Sequence, residues 1–302
     1  MIVLPDAQGL ARAVDLLRAG SVVAFPTETV YGLGADAFNP AAVAEIYRLK
    51  NRPSWNPLIA HVASAAAARA VVDHWPDEAD ELAGLFWPGP LTLVLRRGPG
   101  TLAVRVPAHD VALRLLDAVG IPLAAPSANR SEGISPTTAE HVVRSLPEVP
   151  LVLDGGACAL GIESTVLDLT TDVPRLLRPG ALGLRAIREA IGPVELPAEV
   201  DDGVQRPSPG MGRRHYAPRA RLVLVDEIKD VEGYEGPVGV LTYEDYPGAE
   251  LLSPDPREYA ADLYAALHRL DDAGVATIVA LTPPATEEWL AVRDRLSRAA
   301  AR

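Results

Sequence analysis

The chain has one cysteine in 302 residues, Cys158, so no disulfide can form within it. A buried, unreactive thiol is expected there, and such sparing use of cysteine fits a cytoplasmic protein. Long apolar runs are also missing. No stretch approaches the roughly 20 residues that a membrane-spanning helix needs, so no membrane partner is expected. The opening MIVLPDAQGL shows no basic patch ahead of an apolar run, and no signal peptide is expected from it. Positive charge is in deficit too, with a formal net charge of -12. Residues 1–130 carry 11 Lys+Arg against 12 Asp+Glu, whereas residues 220–302 carry 8 against 16. The acidic C-terminal part favours solubility. A dedicated nucleic-acid binder would show the opposite footprint.

Lysine is scarcer still. Of 28 basic residues only Lys50 and Lys229 are lysine. Lysine is a compact point charge and arginine a planar fork, so a tight site distinguishes them. Lys229 sits in the acidic stretch DEIKDVEG and needs no special reason; Lys50, in LKNRPSWNPL, is expected to be functional. Familiar catalytic signatures are absent as well. There is no GxxxxGK[ST] loop and no complete GxGxxG, and GLG at 32–34 alone is a weak signal. Neither GxSxG nor HExxH occurs. Six scattered histidines lack metal-ligand spacing, so no protein-held metal is expected. With no evident nucleophile, the chemistry is expected to rest on positioning and charge stabilisation.

What is present reads as an α/β protein. Asp6 and Gly20 bracket a helix over 6–19, and Asn39 with Pro40 starts another over 39–50. Strands are expected at 21–25, 57–63, 91–97, 101–107, 122–126, 151–154, 164–169 and 175–179. Helices are expected at 64–73, 77–86, 110–119, 137–145 and 183–191, and 26–38 reads as turn-rich. The irregular alternation predicts a mixed sheet, not a doubly wound parallel one. Residues 192–220 turn Pro- and Gly-rich and lose periodicity, as a linker does, yet GMGRRHYAP within them is crowded with Arg, His and Tyr. Beyond lie strands at 221–225, 237–243 and 276–281 and helices near 256–272 and 285–301, a small α/β unit. The expected division is 1–192 catalytic, 193–219 linker and 220–302 C-terminal domain.

Polar residues cluster at predicted strand ends, where α/β folds bind ligands: Thr27–Thr29, Lys50, Arg52, Asn56, Arg105, Ser127, Asn129, Ser135, Ser164, Thr165 and Arg178. Lys50 and Arg52 stand two apart after a helix, ahead of Pro53. In an extended segment both would face one polyphosphate; as helix-end cations they would merely complement a dipole. Ser127 and Asn129 offer donors to phosphate oxygens, or plain turn chemistry. Arg105 interrupts the apolar LAVRVP and must meet an anion, from the ligand or from a neighbouring carboxylate. His61, in LIAHVA, reads on its own as a core histidine.

Taken together, several stretches resemble the YrdC-type threonylcarbamoyl-AMP synthases in their longer form with a C-terminal extension. They are FPTETVYGLGADA (25–37), KNRPSWNPLIAHV (50–62), WPGPLTLVL (87–95), TLAVRVPAH (101–109), PLAAPSANRSEGISPTTAEHV (122–142), DGG (154–156), GIESTVLDL (161–169), LRPGAL (177–182) and the linker piece SPGMGRRHYAP (208–218). The resemblance implies a twisted sheet with a concave, positively lined ligand face and a small Rossmann-like C-terminal domain. It implies synthesis of threonylcarbamoyl-AMP and pyrophosphate from L-threonine, bicarbonate and ATP, with magnesium carried on the phosphates. Downstream transferase proteins would then modify an adenosine of tRNA; direct tRNA contact stays open. The family's KxR and SxN pairs fall on Lys50 with Arg52 and Ser127 with Asn129, implied to surround the phosphates. Arg52, Asn56, Thr101, Ser127, Ser135 and Arg178 match ATP-contacting positions, and His215 with Tyr216 is expected to close over the nucleotide. Thr29, His61, Arg105, Ser164 and the backbone near Ala125 match the threonine pocket, with Tyr31 beside them. Departures are Trp55, where a small polar or acidic residue is expected, Gly212-Arg213 in the linker, and a loosely matching last helix. The alternatives are a carbamoyl-adenylate transferase, whose acylphosphatase and zinc-binding segments are absent, and a non-catalytic RNA-binding module, which the acidity disfavours.

Overall fold

The computed structural model describes residues 1–196 and 214–301. The chain opens with β1 (Ile2–Val3) and α1 (Ala7–Arg18), where the Asp6 side chain accepts from the Gly9 amide as N-cap. The buried β2 (Val23–Phe25) then pairs antiparallel with β3 (Gly32–Asp36). This second strand replaces the turn expected over GLGAD. Glycine serves close packing here: a Cβ on Gly34 would stand 2.6 Å from Cε1 of Phe25. Next, α2 (Pro40–Lys50) starts on the Asn39 cap and ends at Asn51, whose left-handed φ of 50° turns the chain sharply.

The following elements are β4 (Ile59–His61), α3 (Ala65–Arg69), α4 (Asp77–Phe86) and the hairpin of β5 (Leu91–Arg97) and β6 (Gly100–Arg105). After them come α5 (Asp110–Val119), β7 (Leu123–Ala124), α6 (Ala139–Ser145), β8 (Val152–Leu153), β9 (Thr165–Asp168), β10 (Arg175–Arg178) and α7 (Leu184–Ile191). All ten strands form one sheet in the order β1-β8-β2-β3-β7-β4-β6-β5-β9-β10. Parallel and antiparallel pairs are mixed within it, as expected. The parallel register of β4 and β6 sets Ile59 opposite Ala103 and His61 opposite Arg105. Alternation along the strand therefore sends Ile59, His61 and Arg105 to one face.

A second, all-parallel sheet joins β11 (Arg221–Val225), β12 (Val238–Thr242), β13 (Glu250–Leu251) and β14 (Thr277–Leu281) in the order β11-β14-β12-β13. Asp255 and Pro256 start α8 (Pro256–Asp272), and α9 (Leu290–Ala300) closes the described chain. The helix expected over 285–301 begins later, because a 3-10 turn occupies Glu287–Trp289. Both helices also pack against the first sheet's loops. Tyr216, Tyr259, Leu263, Tyr264, Leu296 and others share one buried cluster with Val30, Ile134 and Ile162. Contact is closest at Gly161 (φ +68°), where a Cβ would lie 2.0 Å from the Ala261 carbonyl oxygen on α8. Only glycine fits that position, on both backbone and steric grounds. Among the described residues no helix is long and apolar enough to cross a membrane.

Candidate active site

A cavity whose empty space, counting the open solvent at its mouth, is about 520 Å³ opens where the first sheet's strand ends meet the linker. The Ile59, His61 and Arg105 face lines it, joined by Thr29, Arg52, Ala125, Ser127, Ser164, Arg178 and the linker residues His215 and Tyr216. Ten of the sixteen site residues that the family resemblance assigns thus meet in one place. Thr27, Val30, Gly32, Pro126 and Glu163 complete the lining.

Six predicted residues do not line the cavity. Lys50 is buried, and its Nζ donates to the Ser127 carbonyl at 2.6 Å and the Asn129 carbonyl at 2.5 Å. An extended 50–52 segment would aim both cations one way; the left-handed Asn51 makes them diverge, so Arg52 reaches the cavity and Lys50 braces the loop behind it. Burial first, then the Arg52 charge, lowers the Lys50 ammonium well below its ordinary range. Asn129 spends its amide on the Arg130 and Gly133 carbonyls, both at 2.8 Å, stapling the turn. Ser135 is fully buried, and its hydroxyl donates to Glu163 Oε1 at 2.5 Å. Its one proton is thereby committed. Tyr31 donates to the Gly156 carbonyl at 2.8 Å, away from the cavity. Asn56 presents its backbone carbonyl to the Tyr47 hydroxyl at 2.9 Å, and Thr101 is an exposed residue of β6 opposite Arg96.

The lining groups fall into two neighbourhoods. In the first, Arg105 Nη2 lies 2.6 Å from Glu28 Oε1, with both side chains buried. The N–H directions miss the carboxylate, so this is a close charge contact without an aligned hydrogen bond. Arg105 Nε donates to the Gly89 carbonyl at 3.2 Å. Of the two readings of Arg105, the protein itself supplies a carboxylate, and the guanidinium still borders the cavity. His61 Nδ1 lies 3.2 Å from the Ile59 carbonyl, which can only accept, so the proton sits on Nδ1 and Nε2 keeps its lone pair. Burial, then the Arg105 charge, lowers the imidazole to about 3. Thr27 donates to the Val30 carbonyl at 2.7 Å and accepts from Thr29 at 2.8 Å, fixing the Thr29 hydroxyl.

The second neighbourhood is cationic. Arg52 Nη2 donates to the Pro57 carbonyl at 3.1 Å, while its buried Nε has no hydrogen-bond partner among the described residues. Burial, with the smaller effect of nearby Arg178 in the same direction, lowers the guanidinium to about 10. Arg178 donates to the Ser164 carbonyl through Nε at 3.1 Å and Nη2 at 2.9 Å, and to Ser164 Oγ at 3.2 Å. His215 keeps some exposure, but Nδ1 is shut off from solvent and, like the buried Tyr216 hydroxyl, lacks a partner among the described residues. Burial lowers the His215 imidazole to about 3 despite the opposing Glu163 charge. The cavity therefore ends in several desolvated polar atoms that a ligand would satisfy.

Glu163 is the functional position that sequence reasoning missed. Burial raises its carboxyl, but Arg295, Arg178 and Ser135 outweigh that and hold it at about 2. The available signal was a carboxylate inside the otherwise uncharged GIESTVL, the same argument that singled out Arg105. Trp55 is exposed at 51%. The linker's Gly212-Arg213 lies outside the described residues.

A mixed sheet bearing a cavity lined by Arg52, Arg105 and Arg178, joined through a linker to a small parallel unit, is an architecture found in other proteins. The family model described as "Telomere recombination" (Sua5, YciO and YrdC) matches residues 15–180, and that described as "Threonylcarbamoyl-AMP synthase, C-terminal domain" matches 183–301. The Bacillus subtilis threonylcarbamoyl-AMP synthase is 41% identical, over 96% of this chain and 92% of the relative. That of Pyrococcus abyssi is also 41% identical, over 95% and 92%. A crystal structure of P. abyssi Sua5 complexed with L-threonine superposes with a TM-score of 0.89 at 39% identity, over 96% of this chain and 94% of that one. The chain belongs to the threonylcarbamoyl-AMP synthase family.

Proposed function

We propose that this chain is a nucleotidyltransferase that joins L-threonine, bicarbonate and ATP into threonylcarbamoyl-AMP with release of pyrophosphate, in the cytoplasm, for modification of tRNA. The observation that carries the reading is the joining of two neighbourhoods in one cavity. Arg105, His61 and Thr29 suit a small zwitterion with a hydroxyl, and Arg52, Arg178, Ser127, His215 and Tyr216 suit a nucleotide. A fork such as Arg105 grips a carboxylate well, and the His61 Nε2 lone pair suits a hydroxyl donor. The complex of a 39%-identical relative with L-threonine supports the first assignment. The proposed division is 1–192 catalytic, 193–219 linker and lid, and 220–302 C-terminal domain. Of that linker, residues 197–213 lie outside the described residues, whereas His215 and Tyr216 border the cavity.

The chemistry needs no enzyme nucleophile. The threonine amine adds to carbon dioxide derived from bicarbonate, giving a carbamate and losing a proton. A carbamate oxygen attacks the α-phosphorus, and the bond to the bridging oxygen of pyrophosphate breaks. Arg52 and Arg178 stabilise the charge that develops, while Lys50 holds the Ser127 loop in place. Gathering three substrates contributes through proximity, and the buried walls around Arg52, Arg105 and Arg178 limit the access of water to the mixed anhydride. Among the described residues no three His, Cys, Asp or Glu converge as metal ligands. The Glu163 carboxylate is taken up by Ser135, Tyr264 and Arg295. The reading has magnesium arrive on the ATP phosphates as part of the substrate, and downstream transferases would consume the adenylate. Pyrophosphate release from ATP tests this reading. Release should require both threonine and bicarbonate, and release that ignores either one overturns it.

A further inference from the structure

One buried cation belongs to neither neighbourhood, yet it touches both the cavity wall and the linker. Arg295, on α9, is 1% exposed. Its Nε donates to Glu163 Oε2 at 2.8 Å, where the Tyr264 hydroxyl of α8 also donates at 3.0 Å. The other oxygen, Oε1, holds the Ser135 hydroxyl. The Arg295 guanidinium carbon stands 4.9 Å from the centroid of the Tyr216 ring, within cation–π range, and Tyr216 stacks on Tyr264 at 5.7 Å. One turn further along the same helix, the Arg298 carbonyl accepts from the His215 amide at 3.2 Å. Asp294 links the two arginines, receiving Arg295 Nη1 at 2.7 Å and Arg298 Nε at 2.8 Å.

A buried ion pair seldom exceeds a hydrophobic replacement in stability, because desolvation cancels most of the attraction. Retaining Arg295 and Glu163 as charges therefore calls for a reason besides stability, and the contacts supply one. Glu163 borders the cavity next to Ser164, and its carboxylate holds the buried Ser135 hydroxyl. Tyr216 borders it from the linker side. Both depend on one guanidinium from the C-terminal unit. We propose that Arg295 is a positioning residue for the nucleotide end of the cavity, fixing the Glu163 wall and the Tyr216 cover together. This rests on the adenylation reading above. It assigns to the C-terminal unit a part in shaping the ATP site, while the threonine neighbourhood around Arg105 stands apart from it.

The test uses full-length wild type and the variants Arg295→Met, Glu163→Gln, their double variant, Arg295→Lys and Tyr264→Phe. Initial rates of threonine- and bicarbonate-dependent pyrophosphate release give the KM for each substrate, and thermal unfolding is recorded in parallel. Arg295→Met should raise the KM for ATP about tenfold, as expected for loss of one charge-assisted contact, with the KM for threonine within about twofold. It should also lower the unfolding temperature, because the buried Glu163 carboxylate loses its largest opposing charge and keeps only Arg178, Ser135 and Tyr264. The double variant should recover that temperature and keep the raised KM for ATP, which a merely structural pair would not do. Arg295→Lys keeps the charge without the fork, and Tyr264→Phe keeps the ring without the hydroxyl; each should raise the KM for ATP about threefold. These two decide the matter if Arg295→Met does not fold. A wild-type KM for ATP in the folded variants, or in the double variant, overturns the role of Arg295. Absence of threonine-dependent release from the wild type itself overturns the adenylation reading instead.

Discussion

Arg105 and Arg52 border the same cavity, but the protein answers their charges in opposite ways. Arg105 stands 2.6 Å from the buried carboxylate of Glu28. Arg52 meets only the Pro57 carbonyl through Nη2, its Nε has no partner among the described residues, and burial lowers its guanidinium to about 10. An amino acid brings one carboxylate together with its own ammonium, so a half-neutralised fork suffices to hold it. A triphosphate brings several charges, and Arg52, at the end proposed to receive it, has no carboxylate partner among the described residues. On the proposed assignment, the comparison teaches that the internal pairing of Arg105 and Arg52 mirrors the charge of the ligand each would meet.

Removing Glu28 would give Arg105 the unanswered status of Arg52. Glu28→Ala should cost about 3–5 kcal/mol of stability, the usual result of orphaning a buried charge, and chemical denaturation measures it. The Arg52 end should respond in rate. Arg52→Ala should lower kcat/KM for pyrophosphate release by roughly 10²–10³-fold, with stability unchanged or raised, because a desolvated cation is removed. An intact rate would break the comparison at its stronger end.

Acid sharpens it further, since each end holds one histidine lowered to about 3, His61 and His215. Unfolded histidines take up a proton near pH 6.5 while the folded ones stay neutral, so stability is full above that pH and declines as pH falls towards 3. For the fully buried His61 the slope is roughly 1.4 kcal/mol per pH unit, and His61→Asn should flatten it in unfolding curves recorded between pH 6.5 and 4.5. The smallest effect belongs to the exposed Trp55. Trp55→Ala should change stability by less than about 0.5 kcal/mol in the same denaturation assay.

Local chemistry made much of this fold legible. The caps at Asp6 and Asn39, the strand over Leu91–Arg97 and the helix over Asp110–Val119 follow from residues close in sequence. The β3 strand was not legible, because its glycines signal a turn until Phe25 is seen lying against Gly34. Composition identified Lys50 as unusual but said nothing of its direction, which depends on one left-handed residue at Asn51. Arg105 was recognisable as a cation that must be answered; which anion answers it is set by a partner 77 positions away, in another loop. Glu163 lay deeper still, since its meaning comes from Arg295 and Tyr264, more than a hundred residues downstream.

Titration calorimetry with ATP and with L-threonine, on Arg52→Gln and Arg105→Lys, tests most directly whether one cavity has two separately built ends. Arg52→Gln should lose ATP affinity and keep threonine affinity, and Arg105→Lys should do the reverse. Equal loss of both ligands in both variants would contradict the two-ended cavity.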